Sequence, residues 1–141
     1  MAKTIVQKVV FKNTTAKDLY DLYMNAKKHS IATAAPAQIT GKEGAEFSAH
    51  NGYITGENIK LVKDQLIVQS WRGSDWDKKD ADSIFMIHLE PKGKNVTLHA
   101  VHANVPDKQA DGIEMGWHTH YWEPWKQYLA GKPITKYPDM K

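Results

Sequence analysis

Residues 116–129 read GWHTHYWEPWKQYL, and the fold of the chain turns on what this stretch faces. Trp117, Tyr121, Trp122, Trp125 and Tyr128 crowd into it, with Pro124 between them. At about 100° per residue from Ile113, an arc of about 200° holds Ile113, Pro124, Trp117, Tyr128, Tyr121, Trp125, Leu129, Trp122 and Met115. The opposite arc holds Lys126, Thr119, Ala130, Glu123, Gly116, Gln127 and His120. An apolar arc that wide is no coiled-coil seam. Each ring buries about 150–250 Å² when packed, so the helix must lie in a concave surface that the rest of the chain supplies. Asp111 and Glu114 read as a capping box, N-cap and N3, at its start. Pro124 predicts a bend that would let the helix follow a curved sheet.

Working outward, KTIVQKVVF (3–11) is β-branched and alternating, which predicts an opening strand. NTTAKDLYDLYMNAKK follows, with Thr14 or Thr15 as N-cap and Ala16, Leu19, Leu22, Tyr23 and Ala26 along one helical face. A second short helix is expected over 26–33, before Pro36. From Gly44 the period becomes two. Strands are predicted at 45–50, 53–63, 65–72, 82–90 and 95–103, separated by turns at Asn51-Gly52, Lys63-Asp64, the loop GSDWDKKD (73–80) and Pro91 to Lys94. Such short links make an antiparallel meander. Strand, helices, many strands, then a long helix predicts an α+β fold with the helices on one face of the sheet. Residues 1–132 are expected to form one domain, and 133–141 a tail.

Composition narrows the function. The 141 residues suffice for one core, and 41% hydrophobic with 25% charged residues is ordinary for a globular chain. Without cysteine there is neither a disulfide nor a thiolate metal site. No leader sequence and no run long enough to span a membrane is evident, so a cytoplasmic location is expected. The net charge of +3 invites a test for nucleic-acid binding. Arg72 is the sole arginine and the lysines are scattered, so a solvated lysine surface is the better account and no nucleic-acid partner is expected.

Several stretches taken in order carry a family resemblance: KHSIATAAPAQI, GAEFSAHNGYITGENIKLV, IVQSWRGSDW and NVPDKQADGIEMGWHTHYWEPWKQYL. Together they resemble the single-domain branch related to the activator of the ninety-kilodalton heat-shock protein ATPase, within the SRPBCC (START-like, birch-pollen-allergen-like) superfamily. The sequence departs from that pattern at Thr33-Ala34 and Gly44-Ala45, where glycines are often found. The resemblance implies a helix-grip fold: a curved antiparallel sheet of about six or seven strands closed around the long C-terminal helix, two short helices after the first strand, and a cavity between sheet and helix.

It also implies which strand residues face inward: Phe85 and Ile87 on one strand, Leu98, Ala100 and His102 on the next, with Trp71 and Phe47 beside them. From the helix come Trp117, Tyr121, Trp122 and Trp125. Glu114 and His118, at about 100° and 140° on the wheel, lie inside the apolar arc. With His102 they form a set of titratable groups suited to orienting a ligand or to acid–base work. Each has a plainer reading: Glu114 as the capping-box residue, the histidines as hydrogen-bonded core residues.

No metal or cofactor is expected. His99 and His102 point to opposite faces of a strand, His118 and His120 diverge on the helix, and only His88 and His99 can meet across strands. The outer-face residues Ile84, Met86 and Val101 make a candidate contact surface for a partner or a homodimer, against the alternative of scattered exposed apolar residues. The leading functional expectation is non-enzymatic binding of a hydrophobic or aromatic small molecule. By resemblance the alternative is a co-chaperone that stimulates a heat-shock chaperone ATPase. An enzyme using His102 or His118 with Glu114 comes third.

Overall fold

The computed structural model describes residues 2–132, so the expected tail at 133–141 lies outside the described residues. The opening strand, β1 (Ala2–Phe11), buries Ile5, Gln7, Val9 and Phe11 and exposes the residues between them, which is the pleat of a half-buried strand. Thr15 caps α1 (Ala16–Met24), its hydroxyl accepting from the Asp18 N–H at 3.1 Å, and Leu19, Leu22 and Tyr23 form the buried face. Asn25 ends α1 and caps α2 (Ala26–Thr33) through the Lys28 N–H. Ala34 closes α2 in the left-handed region at φ 56°, a site where glycine would be unstrained.

Five further strands follow: β2 (Glu46–Ala49), β3 (Ile54–Val62), β4 (Leu66–Gly73), β5 (Ser83–Lys92) and β6 (Asn95–Pro106). They make one six-stranded antiparallel sheet in the order β1-β6-β5-β4-β3-β2. A bridge between Gln38 and Ser48 covers the edge at β2. Gly56 is required where β3 runs between β2 and β4: a Cβ there would lie 1.9 Å from the Ser70 carbonyl oxygen and 2.7 Å from the Phe47 ring.

The C-terminal helix runs as α3 (Asp107–Trp117), a π-turn (His118–Trp122) and α4 (Glu123–Leu129). It begins four residues before the predicted capping box. Pro106 is the N-cap and Asp107 occupies the first turn, so Asp111 lies within the helix and caps nothing. The break comes at the π-turn, which places Pro124 in the first turn of α4, where its missing N–H is tolerated. Gln7 clamps this irregularity. Its Nε2 donates to the Glu114 carbonyl at 2.9 Å and its Oε1 accepts the Trp122 indole N–H at 2.7 Å.

All five tryptophans are buried, and the inward sides of the sheet, α1, α2 and the C-terminal helix share one core. Trp117 stacks on Phe85 with ring centres 4.0 Å apart. This is the helix-grip arrangement that the family resemblance implies, and it supplies the concave surface that the aromatic arc requires. On the outer face Ile84 is exposed, Met86 and Val101 are half-buried, and Val6 lies in register with Val101 and Met86.

Candidate functional site

A π-turn inserts one residue, about 100° of rotation, into the helix. The π-turn therefore sets the phase between the buried positions of α3 (Ala110, Trp117) and those of α4 (Pro124, Trp125). The structure corrects three placements: Glu114, His118 and Met115 fall in the apolar arc of the wheel, yet all three are exposed to solvent. The proposed convergence of Glu114, His118 and His102 does not occur.

His102 is a packed core residue whose hydrogen bonds fix its tautomer. The Trp117 indole, which can only donate, gives its hydrogen to His102 Nδ1 at 3.1 Å. His102 Nε2–H then donates to Ser83 Oγ at 2.7 Å, and the Ser83 hydroxyl donates to the Trp71 carbonyl at 2.8 Å. Burial lowers its pKa to about 3, so the ring is neutral at pH 7. His29, which the sequence reading did not single out, is held in the same way. Its Nδ1–H donates to the Tyr23 carbonyl and its Nε2 accepts from the Tyr121 hydroxyl, both at 2.8 Å. Burial lowers it to about 4, against the raising effect of the Tyr23 hydrogen bond. The Tyr23 hydroxyl continues the chain into the sheet, donating to Gln69, whose amide donates to Asn58.

Phe85, Ile87, Leu98, Ala100, Trp122 and Trp125 pack into the core with these groups. Ala100 is itself buried in that core. Phe47 is buried against Gly56, beside a polar depression of about 670 Å³ over the outward residues of β2, β3 and β4. There Arg72 is already committed to Asp82 and to the carbonyls of Asp77 and Asp80.

The apolar cleft lies elsewhere, between α3 and the β2–β3 turn, with a volume of about 730 Å³. One wall is a helical stripe: Gln109, Gly112, Ile113, Gly116, Trp117, His120 and Tyr121. These positions recur at three- and four-residue spacing, so they share one face. The other wall is His50, Tyr53, Ile54, Trp71 and Asp75. Of the residues named from sequence, Trp71, Trp117 and Tyr121 reach it. A Cβ at Gly112 would meet nothing within 4 Å, and one at Gly116 only the His120 ring at 3.7 Å. Neither glycine serves close packing. Both leave the cleft open, at a helix-propensity cost of about 1 kcal/mol each.

His50, Asn51 and Gly52 take three consecutive positive φ values, 51°, 56° and 88°, which turn the His50 ring onto Tyr121 and His120 at centroid distances of 5.2 and 5.5 Å. Burial, followed by the neighbouring His120 and His29, lowers the His50 pKa to about 3. At the mouth, the Tyr53 hydroxyl donates to Asp75 Oδ1 at 2.8 Å. Burial and this carboxylate together raise the pKa of Tyr53. The indole N–H of Trp71 is buried without an acceptor among the described residues. No three His, Asp or Glu among the described residues come together to hold a metal ion.

Asn51-Gly52 predicts a turn, but nothing local indicates that His50 lines the cleft. His120 and Gly116 both fall on the polar arc of the wheel. A glycine pair four residues apart, Gly112 and Gly116, was the available signal.

The comparisons agree with this architecture. An HSP90 activator from Plasmodium falciparum, PFC0360w, has the same fold, with a TM-score of 0.77 and 21% identity over 95% of this chain and 98% of that one. CalU16 from Micromonospora echinospora superposes with a TM-score of 0.78 at 15% identity, covering 94% of this chain and 78% of that one. Among curated proteins, the Activator of 90 kDa heat shock protein ATPase homolog of Dictyostelium discoideum is 32% identical over 101 residues, 71% of this chain and 26% of its own length. The mouse Activator of 90 kDa heat shock protein ATPase homolog 2 is 22% identical over 83% of this chain and 35% of its own. The chain thus spans between a quarter and about a third of these two relatives. The family model described as Activator of Hsp90 ATPase homolog 1-like protein matches residues 8–130, and the chain belongs to that family.

Proposed function

We propose that this protein binds a small, largely apolar molecule in the cleft between α3 and the β2–β3 turn. The observation that carries the reading is the cleft itself: about 730 Å³, walled by aromatic rings and kept open by Gly112 and Gly116. That volume is in the range of small-molecule sites. Trp71 adds a buried donor without an acceptor among the described residues. The acid–base set weighed from sequence does not serve this cleft: His102 is held by core hydrogen bonds, and Glu114 and His118 face solvent. The test is a fluorescence and thermal-shift screen of an aromatic and lipid library against the protein and a Gly116→Leu variant, whose side chain occupies the cleft. Binding lost in the folded variant supports the reading. Equal binding to both proteins overturns it.

A second reading is favoured by the relatives named as activators of a heat-shock protein ATPase: that this chain contacts a chaperone of that kind and stimulates its ATP turnover. Co-purification and an ATPase assay at saturating protein test it. Unchanged turnover without a complex refutes it.

A further inference from the structure

We infer that the cleft is selective for an organic cation, an ammonium group carried on an aromatic or alkyl body. This rests on the cleft being a ligand site and specifies which ligand chemistry it takes. Among the described residues its lining contains no lysine or arginine, although the chain as a whole carries a net charge of +3. The single carboxylate is Asp75, at the mouth, and no cation pairs with it among the described residues. The Tyr53 hydroxyl holds one of its oxygens in place.

Behind the carboxylate the walls are ring surface: Tyr53, Trp71, Tyr121 and the His50 imidazole. Ring faces carry negative potential and attract cations, most strongly where water is excluded. An anion entering here would meet the Asp75 charge and no compensating cation. A neutral ligand would gain the apolar contact alone. An inorganic cation would find one carboxylate and a largely apolar wall, which do not replace its hydration shell. An alkylated ammonium is weakly hydrated, packs its carbon atoms on the rings and places its charge near Asp75.

Three probes sharing a phenylethyl body separate the cases: trimethyl(2-phenylethyl)ammonium, 2-phenylethanol and 3-phenylpropanoate. They are titrated at pH 8, above the ordinary imidazole range, by calorimetry and tryptophan fluorescence. The ammonium is expected to bind about tenfold tighter than the alcohol, and the carboxylate most weakly. Asp75 is exposed, so Asp75→Asn, which retains an acceptor for Tyr53, should fold normally. It should remove the preference for the ammonium over the alcohol. If the alcohol binds as tightly as the ammonium, or Asp75→Asn leaves the preference intact, the cation assignment falls and the cleft remains a ligand site. If none of the three binds and the library screen also finds nothing, the ligand site and the assignment fall together.

Discussion

Acid should destabilise this protein well above the pH at which its carboxylates titrate. His29 and His102 are buried and neutral, with pKa values of about 4 and about 3, while an unfolded histidine titrates near 6.5. Above pH 6.5 neither state binds a proton at these rings, and stability is complete. As pH falls below 6.5 the unfolded chain takes up protons that the folded chain refuses, so stability falls until the folded pKa values are reached. At pH 5 each ring costs about 2 kcal/mol, at about 1.4 kcal/mol per pH unit, and the pair costs about 4 kcal/mol. That is a large share of the roughly 5–15 kcal/mol typical of a folded domain. The assay is urea denaturation followed by tryptophan fluorescence at pH 7, 6 and 5. His102→Gln supplies an amide that can accept from the Trp117 indole and donate to Ser83, and it should halve the loss that these two histidines cause between pH 7 and 5. A free energy of unfolding that is flat over this range would refute the reasoning. So would a folded His102→Gln protein with the parent's pH dependence.

Three further substitutions probe the packing. Gln7→Leu strands the Trp122 indole N–H and removes a donor from the Glu114 carbonyl, and should cost about 2–4 kcal/mol in chemical denaturation; a loss under 0.5 kcal/mol would show that the π-turn does not need the clamp. Gly56→Ala pushes a methyl group into the Ser70 carbonyl and should cost about 3 kcal/mol or more, seen as a lower urea midpoint, because backbone cannot step aside. Ala34→Gly relieves the left-handed residue at the end of α2 and should gain about 0.5–1 kcal/mol after the added entropy of the unfolded chain; a loss would place the strain elsewhere.

Much of the fold was legible because its signals are local. Alternation set the faces of β1 and β5, turn residues set the hairpins, and Thr15 set the start of α1. The start of the last helix was misread, since Asp111 and Glu114 satisfy a capping pattern whether or not the chain is already helical. Gln7 was a visible anomaly, a polar residue at an inward position between Ile5 and Val9, although nothing local says what it would bind.

The sequence by itself determined that one aromatic surface must be enclosed and that a meander of strands must enclose it, because burying rings and alternating side chains are properties of short stretches. Tertiary structure decided where the cleft lies. The π-turn, clamped by Gln7 from a strand more than a hundred residues away, sets the phase between the two halves of the helix. Glu114 and His118 are left in solvent, and His120 stands opposite His50. A rotation of about 100° at a π-turn that contacts a distant strand has no signature in the residues that it rotates.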